Sequence, residues 1–215
     1  MSSFTQSEQA YQEIRRRLLI LEVRPEDRIK EQEWADKLKL GRLAVREALS
    51  RLHGEGLVTR GAKGGFFAAK MTAVDIHDIH EVREIFEVAA IRLAQERMTP
   101  KQLQQLEDAC DDFAYLVKRG YHVGACESDL RFHHLLVECS GNSKLVRAYD
   151  LSHIPLFHVR VGHSREYLND YAYTEREHRE IVAALKEKDF EKAIERLRAH
   201  FDRGESAVLS QSDGT

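Results

Sequence analysis

The fold of the first third of this chain of 215 residues is decided by the stretch Gly41-Arg42-Leu43-Ala44-Val45-Arg46-Glu47-Ala48-Leu49. Its apolar residues, with one more a turn later, recur at helical spacing and form a single stripe: Val45, Ala48, Leu49 and Leu52. Arg42 and Arg46 are one turn apart and share another face. Residues 42–53 are therefore predicted to form an amphipathic helix, entered through a tight corner at Gly41.

Further elements are predicted on both sides of this helix. Two helices precede it, over residues 11–21 and 31–38. After it, residues 57–60 and 65–68 are predicted as short strands joined by the turn Gly61-Ala62-Lys63-Gly64. Three helices followed by a hairpin make a winged helix-turn-helix, although the pattern alone also fits a generic small helical domain whose glycines lie in loops.

Charge is distributed unevenly along the chain. Residues 1–70 carry 14 Lys and Arg against 10 Asp and Glu, and the rest carries 19 against 26, so only the N-terminal part suits a polyanion. In a winged helix-turn-helix, Arg42 and Arg46 begin the helix that enters the major groove. Lys63 lies at the hairpin tip, and Gly65 beside it lets the backbone approach DNA closely. Alternatively, the two arginines merely solvate a helix surface.

The chain from Thr72 onward is predicted to be helical. Thr99-Pro100 marks a helix start, and Thr174 with Glu177 predicts a capping box that begins the next-to-last helix. The predicted fold is mainly α, with four parts: a winged helix-turn-helix over residues 1–70, a linker at 71–73, an antiparallel bundle of about six helices over 74–209 and a disordered tail at 210–215.

Composition excludes several classes of protein. No apolar run approaches the roughly 20 residues that cross a bilayer, and residues 1–9 lack the plan of a signal peptide. Cys110, Cys126 and Cys139 show no CxxC spacing, which argues against a disulfide framework or a thiolate zinc site. We therefore expect a cytoplasmic protein with reduced cysteines and no membrane partner.

Four residues of the helical region have spacings that suit a metal site. Asp129 and His133 are four residues apart and share one helix face. His178 and His200 lie on the last two helices, and folding these back on each other leaves an axial mismatch of about 4 Å at the rise of an α-helix. Imidazole and carboxylate ligands suit zinc, nickel, manganese or iron rather than calcium. We expect one divalent transition metal per chain, zinc or nickel, although 11 histidines make a chance match the alternative.

The N-terminal part resembles a known family. Residues 41–49, together with Leu52, residues 55–58 and Gly65, are similar to the signature of the GntR family of transcription regulators. The resemblance implies that Arg42, Arg46 and Gly65 contact DNA. The sequence departs from the usual pattern at Leu43-Ala44, Gln32 and Gly64, so an operator sequence cannot be transferred from other members.

Residues 74–209 resemble the FCD ligand-binding domain of the FadR-like branch of that family. The similar segments are Asp129-Leu130-Arg131-Phe132-His133, Ser140-Gly141-Asn142, Glu177-His178 and Ala199-His200. The resemblance implies a metal bound by Asp129, His133, His178 and His200. It also gives Arg83 the position of the family's pocket arginine, which would bind the carboxylate of an organic acid. An ion pair between Arg83 and Glu87 on the helix surface is the alternative.

These predictions together describe a regulator and not an enzyme. Two chains would pair through their helical domains as a homodimer and present two recognition helices to a palindromic operator in double-stranded DNA. A small carboxylate-bearing effector at the metal site would modulate the affinity for the operator. Two alternatives stay open: a metal-dependent hydrolytic enzyme with Glu177 as its base, and a protein-interaction module with a degenerate DNA-binding domain.

Overall fold

Two units make up the chain, residues 1–71 and residues 72–215. The computed structural model describes these residues: 5–19, 22–70, 72–152 and 171–212. Within them, the first unit is a winged helix-turn-helix and the second consists of helices, so the predicted fold class is confirmed.

Three helices precede the hairpin of the first unit: Gln6–Leu19 (α1), Glu31–Leu38 (α2) and Arg42–Gly54 (α3). The stripe predicted on α3 is the buried face of that helix, and Val45, Leu49 and Leu52 are completely inaccessible to solvent. Helix α1 packs against α3 and buries Ala10 and Ile14. Burial of this stripe leaves the opposite face of α3 at the surface.

A small antiparallel sheet completes the first unit. Its strands are Arg28–Ile29 (β1), Val58–Arg60 (β2) and Phe66–Ala68 (β3), in the order β1-β3-β2. Strands β2 and β3 form the predicted hairpin, with Val58 opposite Ala68. Strand β1 was not predicted, because a two-residue strand is too short to show an alternating pattern. It pairs with β3 and sets Arg28 opposite Phe67.

Six helices form the described part of the second unit. They are Ala73–Arg97 (α4), Pro100–Lys118 (α5), His122–Glu138 (α6), Ser143–Leu151 (α7), Tyr171–Lys186 (α8) and Phe190–Ser212 (α9). Helix α9 runs to Ser212, so residues 210–212 of the expected tail are helical, and residues 213–215 lie outside the described residues. Among the described residues, no helix combines the length and apolar character needed to cross a membrane.

Capping side chains fix several helix starts. Thr99 caps α5, which has Pro100 as its first residue, and Gln102 completes a capping box. The capping box predicted at Thr174 was wrong, because the described part of α8 begins at Tyr171 and Thr174 lies inside the helix. The Thr174 hydroxyl is buried and accepts a hydrogen bond from Arg203 instead.

The core of the second unit lies between α4, α5, α6, α8 and α9. Residues such as Ile91, Leu106, Leu136, Ile181 and Leu197 are completely buried there. The three cysteines are buried and free, and burial raises the pKa of each thiol, to between about 11 and about 12. They therefore act as small apolar side chains of the core.

Candidate metal centre and DNA-binding surface

The two arginines of α3 are exposed at the surface. The side chains of Arg42 and Arg46 are 65% and 63% exposed. Both face Glu31 at the start of α2, with Arg42 Nε at 2.9 Å and Arg46 Nε at 3.9 Å from its carboxylate oxygens. Exposed ion pairs of this kind contribute at most about 1 kcal/mol, so a phosphate or a guanine edge can replace Glu31 at small cost.

The hairpin carries the two other predicted DNA contacts. Lys63 is exposed in the turn, and Gly65 is exposed at a φ of +89°, a conformation that L side chains rarely adopt. Sequence reasoning missed Arg28, an exposed residue of β1. An alanine Cβ at Gly65 would lie 3.5 Å from Nε of Arg28, so this guanidinium lies beside the glycine.

Three helices bring the four predicted metal ligands together. Asp129 and His133 lie on α6, His178 on α8 and His200 on α9, and all four are buried. Each offers one ligand atom, and these atoms all lie within 4.8 Å of one another. The Asp129 carboxylate is 3.3 Å from His178 Nε2 and 3.9 Å from His133 Nε2.

Carboxylates orient two of these histidines. Nδ1 of His133 donates to Glu87 Oε2 at 2.7 Å, and Nδ1 of His200 donates to Glu177 Oε2 at 2.8 Å. A proton held on Nδ1 leaves the Nε2 lone pair available to a metal. Arg203 donates to both oxygens of Glu177, so this carboxylate is engaged on each oxygen and is not placed as a general base.

The chemistry of the cluster fits a transition metal. Metal–nitrogen bonds measure about 2.1 Å, so the ligand atoms of one ion lie about 3 to 4.2 Å apart depending on its geometry, and the cluster, whose atoms all lie within 4.8 Å of one another, is slightly wider than this. Both ring nitrogens of His178 are buried and have no hydrogen-bond partner among the described residues. Burial also holds the pKa of His178 well below its ordinary value, which favours the neutral imidazole that metals bind.

Arg83 is buried on α4 and is not a surface residue. Its Nε donates to Glu87 Oε1 at 2.8 Å, and its guanidinium carbon lies 4.7 Å from the centroid of the Phe201 ring. The ion pair with Glu87 therefore exists, but both side chains are buried. Nη2 of Arg83 has no hydrogen-bond partner among the described residues. A buried cationic group with an N–H donor still to be paired suits an anionic ligand.

Sequence reasoning missed the residues that support the cluster. Glu87 links Arg83 to His133 and also accepts a hydrogen bond from the Tyr149 hydroxyl at 3.2 Å. The sequence pattern predicts Glu177 to be a helix-capping residue, whereas the structure places its carboxylate against His200. Glu87 and His133 lie on different helices, and so do Glu177 and His200. No local spacing in the sequence therefore connects either glutamate to the histidine that it orients.

His134, next to His133 in sequence, contacts Asp150 near the surface and does not join the cluster.

Models of two protein families match the chain. Residues 6–68 match the family described as bacterial regulatory proteins, gntR family, and residues 78–203 match the FCD domain. Solved structures agree with the fold. E. coli McbR/YncC has a TM-score of 0.76 at 21% identity, covering 98% of this chain and 100% of that one. A GntR protein from Rhodococcus sp. RHA1 has a TM-score of 0.82 at 20% identity, covering 96% and 99%.

Two curated proteins are similar in sequence. The Nta operon transcriptional regulator of Aminobacter aminovorans is 38% identical over 127 residues, which span 58% of this chain and 59% of that regulator. The uncharacterized HTH-type transcriptional regulator YdhC of Bacillus subtilis (strain 168) is 26% identical over 201 residues, which span 90% of this chain and 87% of that protein. Both are named as transcription regulators.

Proposed function

This chain belongs to the GntR family of bacterial regulatory proteins and carries an FCD domain, and from that premise we propose that it is a metal-dependent regulator whose affinity for DNA is set by a small organic acid. It is a transcription regulator and not an enzyme, as are the families and relatives that it matches. The buried cluster of one aspartate and three histidines is the observation that carries the proposal.

In this proposal the helical domain over residues 74–209 holds one divalent metal per chain, zinc or nickel, through Asp129, His133, His178 and His200. The buried donor set and the two carboxylates that orient its histidines support this assignment. When bound, the metal would supply a Lewis-acid centre that could bind the carboxylate of a ligand.

The effector is proposed to be a small organic acid bound at Arg83. The buried guanidinium commits Nε to Glu87, while Nη2 lies buried with no hydrogen-bond partner among the described residues. Guanidinium and carboxylate groups form paired, charge-assisted hydrogen bonds, which are worth most where water is excluded. An acid that met both Arg83 and the metal would be selected by its carboxylate.

The winged helix-turn-helix over residues 1–70 is proposed to bind double-stranded DNA in the cytoplasm. Arg42 and Arg46 would enter the major groove, and Lys63 and Gly65 would contact the backbone from the hairpin. The exposure of the arginines, and of Arg28 beside Gly65, supports this surface. A homodimer formed through the helical domains would present two recognition helices to a palindromic operator.

One experiment tests the proposal as a whole. An operator is selected from random duplexes with the full-length protein, and its affinity is measured for the metal-free and the zinc-loaded protein across a panel of metabolite carboxylates. The proposal expects a sequence-specific complex whose affinity changes by roughly 5- to 150-fold with the correct acid, the range of ordinary allosteric coupling. Equal, weak binding to every duplex under all conditions would overturn it.

A further inference from the structure

Glu87 has three buried donors on its single carboxylate. Oε1 accepts from Arg83 Nε at 2.8 Å and from the Tyr149 hydroxyl at 3.2 Å, and Oε2 accepts from His133 Nδ1 at 2.7 Å. Glu87, Arg83 and His133 are at most 1% exposed, so water does not screen these contacts. One carboxyl group is therefore shared between a candidate metal ligand and a candidate effector residue, and burial raises the pKa of Glu87 to about 7.

On the His133 side, the contact decides which ring nitrogen is available. An ionised Glu87 favours the proton on Nδ1 of His133, and this tautomer has its lone pair on Nε2, the nitrogen that faces Asp129. A carboxylate behind a ligating imidazole also raises the basicity of the ring. The more of the Glu87 charge lies on Oε2, the stronger a metal ligand His133 becomes.

On the Arg83 side, the same carboxylate holds the guanidinium. The pair at Nε fixes the group over the Phe201 ring and neutralises part of its charge. Concentrating the negative charge of Glu87 toward His133 leaves more positive charge on Arg83 for an incoming anion. Conversely, an anion bound to Arg83 pairs with part of the charge of the guanidinium and leaves more of the Glu87 charge for His133.

We propose that Glu87 is the positioning residue that couples the two sites, so that a metal at His133 and a carboxylate at Arg83 raise each other's affinity through it. The inference rests on the proposed function, because it needs both ligands. Coupling of this kind is reciprocal, so it can be read from the metal side, as the affinity for Zn²⁺.

The test is a double-mutant cycle between Arg83 and Glu87, read as the affinity of the metal-stripped full-length protein for Zn²⁺ in competition with a chelator. Glu87→Gln offers one oxygen and one amide NH₂, so it cannot accept from both His133 and Arg83. We expect it to weaken Zn²⁺ binding about 10- to 100-fold, the usual effect of losing such a partner. Arg83→Met frees Glu87 for His133 and is expected to strengthen Zn²⁺ binding several-fold, provided that the pH is high enough to keep Glu87 ionised in the variant, because burial already raises the pKa of Glu87 to about 7 and Arg83 holds it down.

Measuring Arg83→Met in the wild-type and in the Glu87→Gln protein separates two explanations: coupling through Glu87, and direct repulsion of the metal by the charge of Arg83. In the Glu87→Gln background the gain from Arg83→Met should disappear. A gain of equal size in both backgrounds would mean that Arg83 repels the metal directly, and would overturn the inference. Tyr149→Phe is a graded comparison, because it removes the other donor to Oε1 and leaves the charge of Arg83 in place, so it should strengthen Zn²⁺ binding less than Arg83→Met does.

Two further outcomes are distinguishable. If the wild-type protein binds no Zn²⁺, the proposed metal site fails before the coupling is reached. If Glu87→Gln does not fold, the cycle is run with Glu87→Asp, whose shorter side chain is not expected to reach both partners. The histidine ¹⁵N spectrum of the metal-free wild type should then show the His133 proton on Nδ1, and a proton on Nε2 would contradict the role of Glu87.

Discussion

His200 on α9 and Glu177 on α8 are joined by a hydrogen bond of 2.8 Å from Nδ1 to Oε2. Glu177 is held in turn by Arg203, which lies three residues after His200 and donates to both carboxylate oxygens. The last two helices are thereby fixed to each other beside the candidate metal centre. The relationship gives Glu177 a role that its position next to His178 in the sequence did not reveal.

Glu177→Gln is expected to weaken Zn²⁺ binding about 10- to 100-fold, because an amide does not hold the Nδ1 proton of His200 as a carboxylate does. Chelator competition with the full-length protein measures this. Glu175→Gln on the same helix is the matched control, since Glu175 contacts Arg179 and no candidate ligand. Equal affinities for the two variants would remove Glu177 from the site.

His178→Ala is expected to abolish most metal binding. The wild-type protein should carry one ion per chain in native mass spectrometry, and the variant should have lost most of it, because His178 offers a buried neutral imidazole to the cluster. His134→Ala serves as the control, since His134 is hydrogen-bonded to Asp150 outside the cluster. A variant that kept its ion at unchanged affinity would exclude His178 as a ligand.

Metal removal should lower the thermal stability of the protein. A ligand that binds only the folded state stabilises it by about 2.7 kcal/mol at a concentration one hundred times its Kd. Stripping the metal should therefore shift the thermal midpoint downward, and adding Zn²⁺ back should restore it. The shift should vanish in His178→Ala, and a shift of equal size there would mean that the metal binds elsewhere.

Arg46→Ala is expected to weaken binding to the selected operator by about 1 to 3 kcal/mol if its guanidinium reads a guanine edge. Fluorescence anisotropy on the operator and on a scrambled duplex separates this from a phosphate contact, whose loss weakens both duplexes alike. Arg16→Ala on α1 is the control, because Arg16 is a half-exposed arginine paired with Glu13. Unchanged affinity in Arg46→Ala would show that the arginine is only a solvated surface residue.

Arg28→Ala is expected to reduce the salt dependence of DNA binding. Each phosphate contact adds about 0.9 to the slope of log K against log salt concentration, so losing one contact should lower the slope by about that amount. Lys30→Ala offers a comparison two residues away, since Lys30 is exposed and paired with Glu33. If Arg28→Ala showed the wild-type slope, Arg28 would make no phosphate contact. The proposed contacts of the hairpin would then be limited to Lys63 and Gly65.

Much of the candidate site could be predicted because its signals are local. Asp129 and His133 share a face at four-residue spacing, and two antiparallel helices of known rise bring His178 and His200 to a similar level. That these four residues bind a metal stays a prediction. The spacing of Arg83 and Glu87 is equally local, but it fits a surface pair and a buried pair alike, and the sequence left both open.

The sequence by itself determined the helices, the hairpin and the apolar stripe of α3, because helical periodicity and turn residues act over a few positions. Only the tertiary structure decided that β1 joins the sheet, that Thr174 lies inside a helix and that Arg83 is buried. It also decided that Glu87 stands behind His133 and Glu177 behind His200. Such contacts join residues 46 and 23 positions apart, and they form only when separate helices pack together and exclude water.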